Sequence, residues 1–391
     1  MFGRRIAVLA TGSLNNRKGV MNVVHNRVKH LRRIADFEVD VYLISVYYPG
    51  WLSFLSHKKR QDRPSVVSLD GVDYNILWRS FSLFDYLLRI KLKKKPIRWK
   101  HFVKKTTKRL RDYDLVDCHS FQSGDIACTI KERYGKPYVV TWHGTDIHTE
   151  PYQSPSVCTR TREIIEDADC NFFVSQDLLR ISADITIKGK KTVLYNAMDK
   201  RFVRYDKERQ AQLRESFHVE GKKVVTFCGN LIPVKNVGAI PGIFRKVYES
   251  VPNVYFWVIG DGECRKTMRI ETEDLPITFW GNQPPESIPD YLNVTDVLVL
   301  PSKNEGLPLV TVEALSCGCN VVGSRVGGIP EVIGIDNTVP LNQNNFEETF
   351  AQKVISFLLD NETGAQSLSE CFDWDVAARK ENSIISSIIN R

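Results

Sequence analysis

Short apolar runs punctuate this chain at nearly regular intervals. Residues 6–10, 39–46, 74–78, 115–118, 138–142, 170–174 and 192–195 form a first series rich in Val, Ile and aromatic side chains. After a polar stretch the runs resume at 224–228, 254–259, 278–280, 297–300 and 320–322. Segments of helical length separate most of them, and the first of these predicts a helix over about residues 21–34. Strands alternating with helices imply an α/β protein whose parallel sheets are covered on both faces. The most charged and least apolar interval is 199–223, with Lys200, Arg201, Arg204, Asp206, Lys207, Glu208 and Arg209. A boundary there gives a first domain over 1–199, a linker over 200–222 and a second domain over 223–372. Open α/β sheets bind ligands outside the carboxyl ends of their strands. Two such sheets are therefore expected to face a deep cleft between the domains.

Composition is compatible with this division. The chain has 391 residues, 42% of them hydrophobic, enough for two separate cores. No apolar run approaches the ~20 residues of a membrane-spanning helix. The N-terminus reads as a strand rather than a signal peptide, because Thr11-Gly12-Ser13 ends the apolar run early. Nine scattered cysteines without a Cys-x-x-Cys pair read as reduced, mostly buried thiols of a cytoplasmic protein. The net charge of +8 is concentrated between Lys91 and Arg111, where basic residues alternate with Leu92, Ile97, Trp99, Phe102, Val103 and Leu110. Such a segment suits an anionic membrane surface, or it is a plain solvated helix face. Nucleic acid is not expected as a partner.

The motifs fall where the strands end. Glu305-Gly-Leu-Pro-Leu-Val-Thr-Val-Glu313 follows the apolar run 297–300 and Pro301-Ser302. Pro308 suits a first helical position, which puts Glu305 in a loop and Glu313 about two turns into a helix. Amide groups at that helix start make an anion site between two carboxylates, suited to a diphosphate with hydroxyls on either side. Gly229-Asn-Leu-Ile-Pro-Val-Lys235-Asn236 follows the run 224–228 and offers a lysine for phosphate. Gly260-Asp-Gly262 reads as a tight turn, and Gly327-Gly328-Ile-Pro-Glu331 as a flexible loop able to approach a ligand. In the first half, His143 in Thr141-Trp-His-Gly-Thr-Asp146 reads as a loop-borne, exposed histidine, with His119 a similar case. Gly19, at the start of the first helix, would let a sugar diphosphate approach the backbone. Asp112-Tyr-Asp114 and Asp167-Ala-Asp169 read as structural, and no metal ligand set is legible.

These residues resemble a known pattern. Glu305 and Glu313 with Pro301-Ser302, Gly229-Asn-Leu with Lys235, Gly260-Asp-Gly262, Val326-Gly-Gly-Ile-Pro-Glu331, His143-Gly-Thr-Asp146, Val174-Ser175, Asn196-Ala-Met-Asp199 and Phe372-Asp-Trp374 are similar to the motifs of retaining glycosyltransferases of family 4. The resemblance covers most of the chain. It implies the GT-B fold, two Rossmann-like domains, with a final helix over 373–391 crossing back to complete the first. It implies a hexosyltransferase-type enzyme that needs no cofactor beyond its nucleotide-diphosphate sugar. Glu313 would hold the ribose; Glu305 and the amides of Gly306, Leu307, Pro308, Leu309 and Val310 would hold sugar and diphosphate. Lys235 would meet charge on the leaving group, Gly19, Gly229 and Asn230 would lie at the diphosphate, and Gly281 and Asn282 at the base. His143 would contact the donor sugar.

Four positions depart from the pattern: Asn230 for an arginine, Asn236 and Ala197 for glycines, Asn320 for a proline. Lys18, Arg325 and Lys303 are candidates to compensate for the charge that Asn230 lacks. The acceptor is expected to be a saccharide or lipid-linked saccharide at the inner face of a membrane, read by segments such as Trp51-Leu-Ser-Phe-Leu55. Polysaccharide or surface-glycan assembly is the implied setting. A sugar-nucleotide epimerase and a non-catalytic nucleotide-sugar-binding module are the competing readings.

Overall fold

The computed structural model describes residues 3–12, 19–47, 63–80, 97–359 and 370–391. Residues 13–18 with Lys18, residues 51–55 and residues 91–96 therefore lie outside the described residues. The chain forms two units: residues 1–174, 178–195 and 374–391 make the first, and 175–177 with 196–373 the second.

The first unit is built on an eight-stranded sheet, β1 (Arg5–Thr11), β2 (Glu38–Tyr47), β3 (Val66–Leu69), β4 (Val72–Ser80), β5 (Leu115–His119), β6 (Tyr138–Trp142), β7 (Cys170–Phe173) and β8 (Lys191–Val193). Its order is β3-β4-β2-β1-β5-β6-β7-β8. All pairings are parallel except β3–β4, a hairpin that the apolar pattern does not predict. Its signal is Asp70-Gly71, at φ 47° and 77°, the left-handed pair that a tight primed turn requires. Every residue of β6 is buried, as expected for a strand with helices on both faces.

The second unit has six parallel strands, β9 (Lys223–Cys228), β10 (Val254–Ile259), β11 (Ile277–Gly281), β12 (Val297–Leu300), β13 (Asn320–Ser324) and β14 (Thr338–Val339), in the order β11-β10-β9-β12-β13-β14. Alternate side chains go to opposite faces. Val225, Phe227, Phe256, Val258, Val297 and Val299 pack with Ile243, Phe244 and Val247 of the helix Ile240–Ser250 on one side. Val224, Trp257 and Ile259 pack with Tyr291 and Val294 on the other. Strand order reverses between β9 and β12, and that switch point is where such sheets bind ligands.

Residues 200–222, expected as a linker, belong to the second unit. The helix Lys207–Ser216 buries no residue, so its low apolarity resembles a linker in sequence. Polar contacts hold it instead: Arg214 donates to Asp296 at 3.0 Å and to the Val294 carbonyl at 3.0 Å, and the Tyr205 N–H donates to Asn293 at 2.7 Å. The last helix, Trp374–Ile389, is part of the first unit and packs along the helix Val20–Ile34.

The basic segment also differs from its sequence reading. In the helix Ile97–Leu110, Trp99, Phe102, Val103 and Leu110 are buried in the first unit. Trp99 Nε1 donates to Asp125 at 2.9 Å, and the Arg79 guanidinium lies 4.7 Å from the Trp99 ring. The aromatic residues that suggested insertion into lipid are core, and the exposed face carries Lys100, His101, Lys104, Lys105, Lys108 and Arg109.

Candidate functional site

The second unit brings Lys235 and Glu305 together. Lys235 ends a short turn, Pro233–Lys235, beyond β9, and Glu305 lies in the loop beyond β12, the adjacent strand. The Lys303 N–H donates to the Val234 carbonyl at 2.8 Å and ties the two loops. Lys235 Nζ then lies 2.5 Å from Glu305 Oε1, which also accepts from Ser302 Oγ at 2.7 Å. Ser302 is buried and held in turn by Ser324 Oγ at its carbonyl. Asn236 adopts φ 52°, ψ 40°, a left-handed geometry that asparagine tolerates better than most residues. Its replacement of the family's glycine is thus locally accommodated.

Gly327 and Gly328 brace the Glu305 loop rather than standing free of it. At Gly327, φ 54°, a Cβ would collide with the Glu305 carbonyl, and the Gly328 N–H donates to the Gly306 carbonyl at 2.8 Å. Pro308 is not the first helical residue; at φ −74°, ψ 109° it is extended and precedes the helix Leu309–Ser316. Lacking an N–H, it donates nothing. Gly306, Leu307, Leu309 and Val310 carry the amides of this run, and the Leu307 side chain is core. Gly260 and Gly262 form a turn packed on the loop after β9: the Leu231 N–H donates to the Asp261 carbonyl at 3.0 Å, and Gly229 to the Ile259 carbonyl at 2.9 Å. Asn230 is exposed in that loop. Gly281, at φ 68°, closes β11 and accepts from the Gly260 N–H at 2.7 Å, while Gln283 holds the Trp280 carbonyl at 2.7 Å beside Asn282. A pocket of about 1030 Å³ opens next to the Lys235 loop, lined by Asn236, Lys303, Lys246 and Phe346 among others.

Glu313 is half-buried and makes no hydrogen bond through its carboxylate among the described residues. Burial pushes its pKa up to about 7, against the pull of Arg201 and with the help of Asp199. Arg201 is bonded to Asp199 at 2.9 Å, and its buried Nε has no partner among the described residues.

In the first unit, Gly19 caps the helix Val20–Ile34 at φ 55°, ψ −121°, a backbone geometry that needs glycine. His143 is half-buried rather than exposed, and its Nε2 lies 3.1 Å from Nδ1 of the buried His119. The N–H groups of His143 and Gly144 donate to the Asp146 carboxylate at 3.1 and 2.9 Å. Burial pushes Asp146 up to about 6 and His143 down to about 3, the latter with Arg27 as a second cause. Arg27 forms a buried pair with Glu381 at 2.5 Å and donates to Thr141 at 2.8 Å. This network is not legible as a motif. Its one signal is a charged residue within each apolar stripe, Arg27 between Val24 and Val28, and Glu381 between Ala378 and Ile385.

Residues 85–202 match the family described as "Glycosyltransferase Family 4", and residues 208–370 the one described as "Glycosyl transferases group 1". Among curated proteins the chain is similar to the N-acetyl-alpha-D-glucosaminyl L-malate synthase of Bacillus anthracis, 32% identical over 57% of this chain. The match spans 59% of that relative's length. It is also similar to the D-inositol 3-phosphate glycosyltransferase of Corynebacterium efficiens, 24% identical over 70% of this chain and 71% of the relative. Among solved structures, HepE of Anabaena in complex with UDP and glucose superposes with a TM-score of 0.68 at 17% identity, covering 98% of this chain and 97% of HepE. Sucrose-phosphate synthase of Thermosynechococcus elongatus does so with a TM-score of 0.75 at 17% identity, covering 99% of each. At that identity the two structures speak to the fold.

Proposed function

Since the chain belongs to the family 4 glycosyltransferases and has the GT-B fold, we propose that it moves a sugar from a nucleotide-diphosphate sugar to an acceptor hydroxyl, retaining the anomeric configuration. The observation that carries this reading is the Lys235–Glu305 pair at the switch point of the second sheet, 2.5 Å apart beside a helix N-terminus. A cation and a carboxylate at the ends of two adjacent strands suit a ligand that is a diphosphate on one side and a polyol on the other. The UDP named for HepE supports that donor class.

The bond from the anomeric carbon to the diphosphate oxygen breaks, and its electron pair leaves with the diphosphate. Lys235 and the amides of Gly306, Leu307, Leu309 and Val310 stabilise that growing charge, which is where electrostatic catalysis acts. Glu305 accepts hydrogen bonds from sugar hydroxyls and Glu313 from the ribose, while Gly281 and Asn282 meet the base. The acceptor hydroxyl attacks from the face being vacated and passes its proton to the departing phosphate oxygen. His143 serves as a sugar-contacting residue, and Lys235 and the amides do the work that a metal does elsewhere. The acceptor is a lipid-linked saccharide, and the exposed basic face of the helix Ile97–Leu110 holds the enzyme to anionic lipid at the cytoplasmic side.

A panel of nucleotide sugars, read by thermal shift, identifies the donor; at 100 times its Kd a ligand adds about 2.7 kcal/mol of stability. Radiolabelled sugar then moves to acceptor, and transfer persists in EDTA. Lys235→Ala cuts turnover at least ~10²-fold. Near-normal transfer by that variant would falsify the assignment, and epimer exchange without transfer would favour the epimerase.

A further inference from the structure

His119 and His143 meet in a way that their separate motifs do not suggest. They end β5 and follow β6, adjacent strands of the first sheet. Their ring centroids are 5.3 Å apart with planes inclined by 20°, and Nδ1 of His119 lies 3.1 Å from Nε2 of His143. Nearly coplanar rings at that separation touch edge to edge, which is the geometry of an N–H···N hydrogen bond rather than of a stack. Such a bond needs one nitrogen to accept, so the pair cannot be doubly protonated.

We propose that His119 is a positioning residue for the transfer reaction: it holds His143 in one tautomer and one orientation, so that Nδ1 of His143 is the nitrogen offered to the donor sugar. This rests on the reading of His143 as a sugar-contacting residue. Nδ1 of His143 has no hydrogen-bond partner among the described residues, whereas Nε2 is occupied. Behind the pair lies a sealed set of charges. His119 is 1% exposed, and its Nε2 is 3.9 Å from Asp117. Asp117, also buried, faces Glu381 and is held well above the usual carboxylate range by burial and then by Glu381. Glu381, from the last helix, neutralises Arg27 with contacts of 2.5 and 3.1 Å, and Arg27 donates to Thr141 at 2.8 Å. Asp146 holds the His143 backbone from the other side. Arg27 is paired with Glu381, and burial with Arg27 keeps both rings uncharged at neutral pH. A neutral, oriented imidazole gives or accepts a hydrogen bond but is not an acid.

The test uses full-length protein labelled with nitrogen-15 histidine, followed by long-range proton–nitrogen NMR from pH 5 to 8, with His143→Gln for assignment. The expected result is a single neutral tautomer for His143 that does not titrate. In His119→Phe, His143 stays uncharged, because burial and Arg27 remain, but becomes a mixture of its two neutral tautomers. His119→Asn, whose amide can sit where Nδ1 was, restores one tautomer. Ordinary titration of His143 in the wild type, or identical His143 spectra in wild type and His119→Phe, overturns the proposal. If His119→Phe does not fold, the wild-type titration and His119→Asn still decide. With a donor in hand, His119→Phe lowers turnover about tenfold or more with donor KM within about twofold, since small misplacements cost up to ~10²-fold. Failure of every nucleotide sugar to bind, with a fixed His143 tautomer, rejects the transferase reading and with it the role in transfer, while the orientation of His143 by His119 stands.

Discussion

Glu313 and Lys235 are set by opposite circumstances. Lys235 has its counter-ion beside it, whereas Glu313 is enclosed without a hydrogen bond, and burial lifts its pKa from 4.5 to about 7. The folded protein therefore holds the Glu313 proton more tightly than the unfolded chain does. Its contribution to stability is complete below about pH 4.5, declines as pH rises toward 7, and stays lost above. Glu313→Gln is accordingly expected to stabilise the free protein at pH 8, by up to about 3 kcal/mol, and to change little at pH 4.5, as measured by chemical denaturation. Nucleotide affinity should move the other way: it weakens in the wild type as pH falls through about 7, because the ionised carboxylate is the better acceptor for ribose hydroxyls. Calorimetric titration between pH 6 and 8 checks this, and a pH-independent affinity would remove Glu313 from the ribose site. Both glutamates were legible because a Gly-Pro interruption between an apolar run and a helix marks a strand-to-helix loop. Ser302, already part of the motif, donates to Glu305, whereas the Arg201–Asp199 pair near Glu313 carried no signal, since contacts of that kind depend on how the loops pack.

The strands were the easiest elements to read, for a physical reason. A parallel strand with helices on both faces must be apolar throughout, as β6 and β12 are, and a continuous apolar run stands out in sequence. The elements missed are those that lack that environment. β3 is an edge strand with a half-exposed pattern, and β14 spans two residues, so neither produces a run. The helix Ile97–Leu110 misled because its apolar stripe has the same spacing whether it faces lipid or protein. Its packing now separates two effects that the sequence joined. Trp99→Ala should cost about 3–5 kcal/mol of stability by leaving a cavity and removing one of the hydrogen bonds to Asp125. Lys104→Glu with Lys105→Glu and Lys108→Glu should leave the melting temperature nearly unchanged and abolish binding to phosphatidylglycerol vesicles. Binding by the wild type should fall steeply with salt, as screening predicts for exposed charges. Salt-insensitive binding would show that another surface inserts.

The two units are each organised about a switch point in an open parallel sheet, and the doubling was visible in the two series of apolar runs. The assignment of the ends was not visible in the same way. Arg27 and Glu381 lie 354 positions apart, and no local pattern reports a pairing over that distance. Deleting residues 374–391 should destabilise the first unit selectively, because it strands the buried Arg27 and uncovers the face covered by Ala377, Ala378, Ile385 and Ile388. Removing one partner of a buried pair alone costs about 3–5 kcal/mol. Calorimetry should show two transitions of which one moves; a common shift of both would mean that the units unfold together. The position of that helix also governs how the protein is made. Translation at about 5–20 residues per second leaves roughly 10–35 s between the emergence of β8 and that of the last helix. Through that interval the nascent first unit keeps an uncompensated cation and an open apolar seam. The half that leaves the ribosome first is the half whose folding waits for the last residues made.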